Sequence, residues 1–218
     1  MADIIGLIAW ILILVFSIVI HEVAHGAVAN WQGDPTAKYS GRLTLNPLKH
    51  LDMFGSFLLP LGLYLATAGS MVFGYAKPVP INPSNFRDQK YGPAKVAIAG
   101  PAVNFILVVL FGLALRFLLG FDFVHPAIQA LNNMFIVVVW INLILMIFNL
   151  IPIPPLDGSH ILFAFLPPSQ EDFKIFLQRY GGFILIFLII FKVGDFSFAA
   201  SLQVIMGFLF KTIVGFSI

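Results

Sequence analysis

Long apolar runs alternate with short, polar, proline-rich breaks along the whole chain. The runs cover residues 4–30, 52–76, 93–119, 127–151, 173–191 and 196–217. A helix rises about 1.5 Å per residue, so about 20 residues cross a bilayer core. Each run is long enough for that, or nearly so. The connections are 31–50, 77–92, 120–126 and 152–172, and "KVGD" at 192–195 reads as a tight hairpin. No linker separates them, so 1–218 reads as a single membrane-embedded domain. The expected fold class is an all-α polytopic membrane protein with about five or six hydrophobic segments.

Composition agrees with the pattern. Of 218 residues, 60% are hydrophobic and 10% charged, and the mean hydropathy is +0.98, far from a soluble domain. A net charge of +2 without a basic cluster gives no reason to expect nucleic acid. The first apolar run lacks a preceding Lys or Arg and a small-residue cleavage site, so it is expected to stay in the mature chain. The chain has no cysteine, so disulfides are absent and a metal site must use nitrogen and oxygen donors.

The cations are unevenly placed. Lys38, Arg42 and Lys49 crowd the first loop, and Lys77, Arg87, Lys90 and Lys95 crowd the second. Both loops read as cytoplasmic by the positive-inside rule. One plain spanning helix between them would put them on opposite sides. The run at 52–76 also holds Gly55, Pro60, Gly62, Gly69 and Gly74. The run therefore reads as a segment that re-enters and returns, with a short β-strand near its end, or else as a plain spanning helix with a weak charge bias. "MVFGYAKPVPI" (71–81) is the candidate edge; Pro78 and Pro80 suit an edge because they donate nothing to a ladder.

The chemistry is concentrated in "FSIVIHEVAHGAVANW" (16–31). His21, Glu22 and His25 form H-E-x-x-H. Positions i and i+4 share a helix face, so both imidazoles can reach one ion, while Glu22 is offset yet near. This suits two zinc ligands and a general base. The chain has only two glutamates, and one lies here, inside an apolar helix. A third ligand is needed. Asp157, in "FNLIPIPPLDGSHI", follows an apolar helix through a stretch stiffened by Pro152, Pro154 and Pro155. It reads either as the cap of a new helix or as a positioned ligand.

Several blocks in order now carry a resemblance. H-E-V-A-H, "AGPAVN" (99–104) and "NLIPIPPLDG" (149–158) resemble the site-2 protease family of intramembrane zinc metalloproteases, peptidase family M50. "GRLTLNPLKHLD" and "FGYAKPVPINPSNF" resemble its small bacterial branch, and no PDZ or CBS segment is visible. The resemblance spans about 5–166, implying a catalytic core there, and the apolar runs beyond it read as a C-terminal helical hairpin at about 173–217. It implies that His21, His25 and Asp157 hold one Zn2+ per chain and that Glu22 is the catalytic base. It also implies that Asn149 helps hold substrate or the oxyanion, and that Asn104 is a further substrate-binding candidate. For Asn104, interhelical hydrogen bonding is the competing role. Asn142 reads as helix glue, His160 as a residue behind the ligands or a bystander, and His50 and His125 as loop residues.

The expected function is intramembrane zinc metalloprotease, cutting peptide bonds in or near transmembrane segments of membrane-protein substrates in regulated intramembrane proteolysis. The expected partners are a transmembrane protein or peptide and the lipid bilayer. The expected place is the plasma membrane, with the site opening toward the cytoplasm. The alternative is a metal or proton transporter using the same buried His/Glu/Asp cluster. A transporter would spread ionisable residues along a path, whereas here they gather at one place.

Overall fold

The structure, a computed structural model, describes residues 2–52, 55, 58–66, 77–121, 125–191 and 197–215. Among these, the helices are α1 (Ala2–Trp31), α2 (Thr36–Tyr39), α3 (Leu59–Ala66), α4 (Gly92–Leu119), α5 (Pro126–Asn149), α6 (Asp157–Phe165), α7 (Glu171–Ile190) and α8 (Phe198–Val214). Four helical stretches are long and apolar enough to cross a membrane: Ile4–Trp31, Gly92–Leu119, Pro126–Asn149 and Pro168–Ile190. Phe198–Val214 is apolar but shorter. The chain is a multi-pass, helical membrane protein. Helices satisfy their own backbone groups, which is what hydrocarbon demands.

The ends of these helices follow ordinary local chemistry. His125 caps α5, its Nδ1 accepting from the Ala127 N–H at 3.2 Å, and Pro126 follows at the first helical position. Ser197 caps α8 through the Ala200 N–H, and Gly215 closes it at φ +96°, a conformation open to glycine. α5 stops at Asn149, just before the prolines begin.

α4 is the hub, packing on α1, α5, α6 and α8. Its second half is plain apolar packing. Val108 and Leu115 meet Val139, Leu143, Met146, Phe210 and Val214, and Trp140 stacks on Phe210 at 5.2 Å. Its first half faces α1 and carries the polar groups described below. Outward faces keep large apolar side chains: Phe183 is 75% exposed and Phe208 69%. Such faces are expected where lipid, not water, is the solvent.

The stretch at 52–76 is only partly described. α3 occupies eight residues of it, and 67–76 lie outside the described residues. The candidate strand at 71–81 shares that limit for 71–76; residues 77–81 carry no regular secondary structure. The "KVGD" hairpin also lies outside them.

Candidate metal centre

The centre forms where α1, the first half of α4 and the start of α6 meet. His21 and His25 are one turn apart on α1, both buried, with ring centroids 4.7 Å apart. Asp157 Oδ2 lies 3.1 Å from His21 Nε2 and 3.3 Å from His25 Nε2. One ligand atom from each of the three residues lies within 4.8 Å of the others. Tetrahedral zinc with donors at about 2.0–2.2 Å separates its ligands by roughly 3.3 Å. The donor set therefore matches zinc in chemistry and in spacing.

The outer nitrogens of the two rings sharpen this fit. His25 Nδ1 donates to the Val96 carbonyl at 2.7 Å. His21 Nδ1 donates to Asn104 Oδ1 at 2.5 Å. Carbonyl and amide oxygens only accept, so each neutral ring keeps its proton on Nδ1. Both Nε2 atoms then turn lone pairs toward a carboxylate oxygen. Three electron-rich atoms facing one another call for a cation between them.

Two glycines let the elements approach. A Cβ at Gly100 would sit 2.5 Å from Nε2 of both histidines, so α4 must present bare backbone there. Pro101 follows inside the helix and leaves the Ala97 carbonyl without its usual N–H partner. A Cβ at Gly158 would strike the Leu150 and Ile151 carbonyls, so Gly158 allows α6 to start hard against the end of α5. Asp157 is the first residue of α6 rather than its cap. Leu156 holds the extended cap conformation (φ −79°, ψ 155°) and frees the Asp157 carboxylate to face the histidines.

The centre opens into a cleft of about 650 Å³ lined by His21, Glu22, His25, Asn149, Asp157 and His160 among others. Glu22 is half-buried, and its Oε2 accepts from the Val79 N–H at 3.0 Å. Pro78, Val79 and Ile81 thus form part of the cleft wall as a strap, tied also by Lys77 N–H to the His50 carbonyl at 2.9 Å. Asn149 lines the cleft and donates back to the Leu145 carbonyl at 3.0 Å. Asn104 does not line the cleft. It is fully buried behind His21, and its amide is taken up by His21 and Asn142. Of the two roles weighed for Asn104, these contacts are those of interhelical hydrogen bonding. His160 lies on the cleft wall, and His50 is buried with Nε2 on the Thr44 carbonyl at 2.9 Å. Sequence reasoning does not single out Gly100, Val96 or Val79. Only the "AGP" block signals the first, and a backbone role leaves no residue-type signal for the other two.

A multi-pass helical protein with two histidines, an aspartate and an adjacent glutamate in one buried cleft belongs to the class of membrane metalloproteases. The chain belongs to peptidase family M50, whose model matches residues 9–134 and 123–188. It is 37% identical over 188 residues to "Putative zinc metalloprotease YwhC" of Bacillus subtilis, covering 85% of this chain and 82% of that protein. It is 31% identical over 176 residues to "Putative zinc metalloprotease Rip2" of Mycolicibacterium smegmatis, covering 80% of this chain and 63% of that one. Rip2 of Mycobacterium tuberculosis (strain H37Rv) is 31% identical over 174 residues, covering 80% and 62%. The chain thus spans less than two thirds of the Rip2 proteins. No solved structure matches. Zinc is the cofactor that donor set, family and relatives support together.

Proposed function

We propose that this chain is a site-2-type intramembrane endopeptidase. It hydrolyses a peptide bond in or near the transmembrane segment of another membrane protein, as a step of regulated intramembrane proteolysis. His21, His25 and Asp157 hold zinc, which supplies polarisation of the scissile carbonyl and acidification of water. Glu22 takes the proton from the attacking water and returns it to the leaving amine. Asn149, on the wall of the cleft, orients the substrate backbone.

The observation that carries this reading is the placement of Glu22 beside the three donors in one cleft, with Glu22 and both histidines on a helix long and apolar enough to cross the membrane. The strap adds support for an extended substrate. Pro78 and Pro80 have no N–H, and the single donor between them, Val79, reaches Glu22. A main-chain N–H thus already reaches the base from the cleft wall. A helical substrate must unwind to fit the same way. The cationic loops at 31–50 and 77–95 support a reading in which the cleft mouth faces the cytoplasm of a plasma membrane.

The test compares membrane-protein fragments in cells making wild type or Glu22→Gln. A substrate should persist uncut only with the variant, while the purified variant keeps its zinc. Equal fragment patterns, with both proteins zinc-loaded, would refute the protease reading and leave the metal-transport alternative.

A further inference from the structure

Three buried polar side chains stand behind the centre. Asn104 and Asn142 are 0% exposed and Ser17 is 4% exposed, all on helices that cross the membrane. Their hydrogen bonds have one consistent direction. The Val138 carbonyl can only accept, so Asn142 must turn its NH2 toward it, at 2.8 Å. The second hydrogen of that NH2 goes to Ser17 Oγ at 3.0 Å. Asn142 Oδ1 then faces Asn104 and accepts from its Nδ2 at 2.7 Å. With its NH2 committed there, Asn104 can present only Oδ1 to His21, at 2.5 Å. His21 must therefore carry its proton on Nδ1 and aim the Nε2 lone pair at the centre.

We propose that Asn142, anchored by the Val138 carbonyl and Ser17, is a positioning residue that fixes the tautomer of His21 through Asn104. The proposal rests on the reading of His21 as a metal ligand. His25 needs no such chain, because the Val96 carbonyl meets its Nδ1 directly. A main-chain carbonyl cannot present a donor. An asparagine can, by turning its amide over, and then His21 would be held with its proton on Nε2, unable to bind metal. Asn142 removes that second state. Partners of this kind typically change metal affinity about 10–100-fold when removed.

The experiment is chelator competition for zinc on the purified full-length chain in detergent. Asn142→Leu should weaken zinc binding about tenfold, and Asn104→Leu about 10–100-fold. The double variant should be no weaker than Asn104→Leu, because Asn142 acts only through Asn104. Asn142→Ala makes the same test if the larger side chain prevents folding. In zinc-stripped protein, histidine 15N shifts should report one His21 tautomer in wild type and a mixture in the Asn142 variants. A merely structural role would lower the melting temperature without moving the tautomer. Zinc affinity unchanged in both Asn142 variants, or a double variant weaker by the product of the singles, would overturn the proposal. His21→Ala guards the underlying reading: unchanged zinc affinity there would overturn the ligand assignment and the proposal with it.

Discussion

Two withdrawn aspartates, Asp34 and Asp157, have opposite surroundings. Asp34 is fully buried and ringed by donors. Its Oδ1 accepts from Thr36 N–H, Thr36 Oγ1 and Asn85 Nδ2, and its Oδ2 from Asn82 N–H. It closes the loop after α1 onto residues 82–85 and needs nothing more. Asp157, 19% exposed at its side chain, faces two imidazole nitrogens whose protons are spent elsewhere. One carboxylate is a finished structural joint; the other belongs to an electron-rich cluster that only a cation completes. Burial and residue type alone would not separate them. The identity of the atoms they face does.

The largest break in that contrast should come from Gly100→Ala. The added Cβ would stand 2.5 Å from both Nε2 atoms, so the rings must swing away from Asp157. Zinc affinity should fall by at least about 100-fold, the upper range for losing ligand orientation. The helix itself should tolerate alanine, the best helix former. Chelator competition beside a thermal melt of the folded protein checks both halves.

A smaller effect, of the other kind, is expected for Asp34→Asn. Its NH2 would meet an N–H or hydroxyl donor and strand it, at a cost of about 1–3 kcal/mol. Zinc content should stay at the wild-type level. Acid should expose the same joint. Burial alone would raise the Asp34 carboxyl, but the Thr36, Asn82 and Asn85 hydrogen bonds outweigh it and hold the group below the usual carboxylate range. A lowered folded value means stability fully present above the ordinary carboxylate value of about 4 and lost as pH falls through the folded one. Wild type should therefore lose stability in that window, and Asp34→Asn should lose less of it, in unfolding titrations at stepped pH.

Much of the fold and of the centre is legible in the residues alone. Apolar run lengths locate the spans, since a bilayer fixes how long they must be. The i, i+4 spacing of His21 and His25 carries the ligand pair, because helix geometry puts them on one face. Asp157 is legible as a ligand only by resemblance, since a lone aspartate after prolines looks equally like a cap. Asn104 stays open between substrate binding and interhelical hydrogen bonding, since the sequence shows a polar residue in a span and not which way its amide turns. Gly100, Val96 and Val79 act through an absent Cβ, a carbonyl and an amide, and every residue but proline has the last two. Such roles appear only when helices from distant parts of the chain are brought together.

The contrast between the aspartates is decided most directly by zinc analysis of purified Asp157→Asn, read beside its melting temperature in zinc-free buffer. An amide oxygen is a much poorer zinc ligand than a carboxylate, while an amide NH2 can donate to a bare Nε2. The expected result is a chain that loses nearly all of the zinc carried by wild type, yet still melts cooperatively as a folded protein in zinc-free buffer. Full zinc in Asp157→Asn would contradict the assignment of His21, His25 and Asp157 as the metal centre.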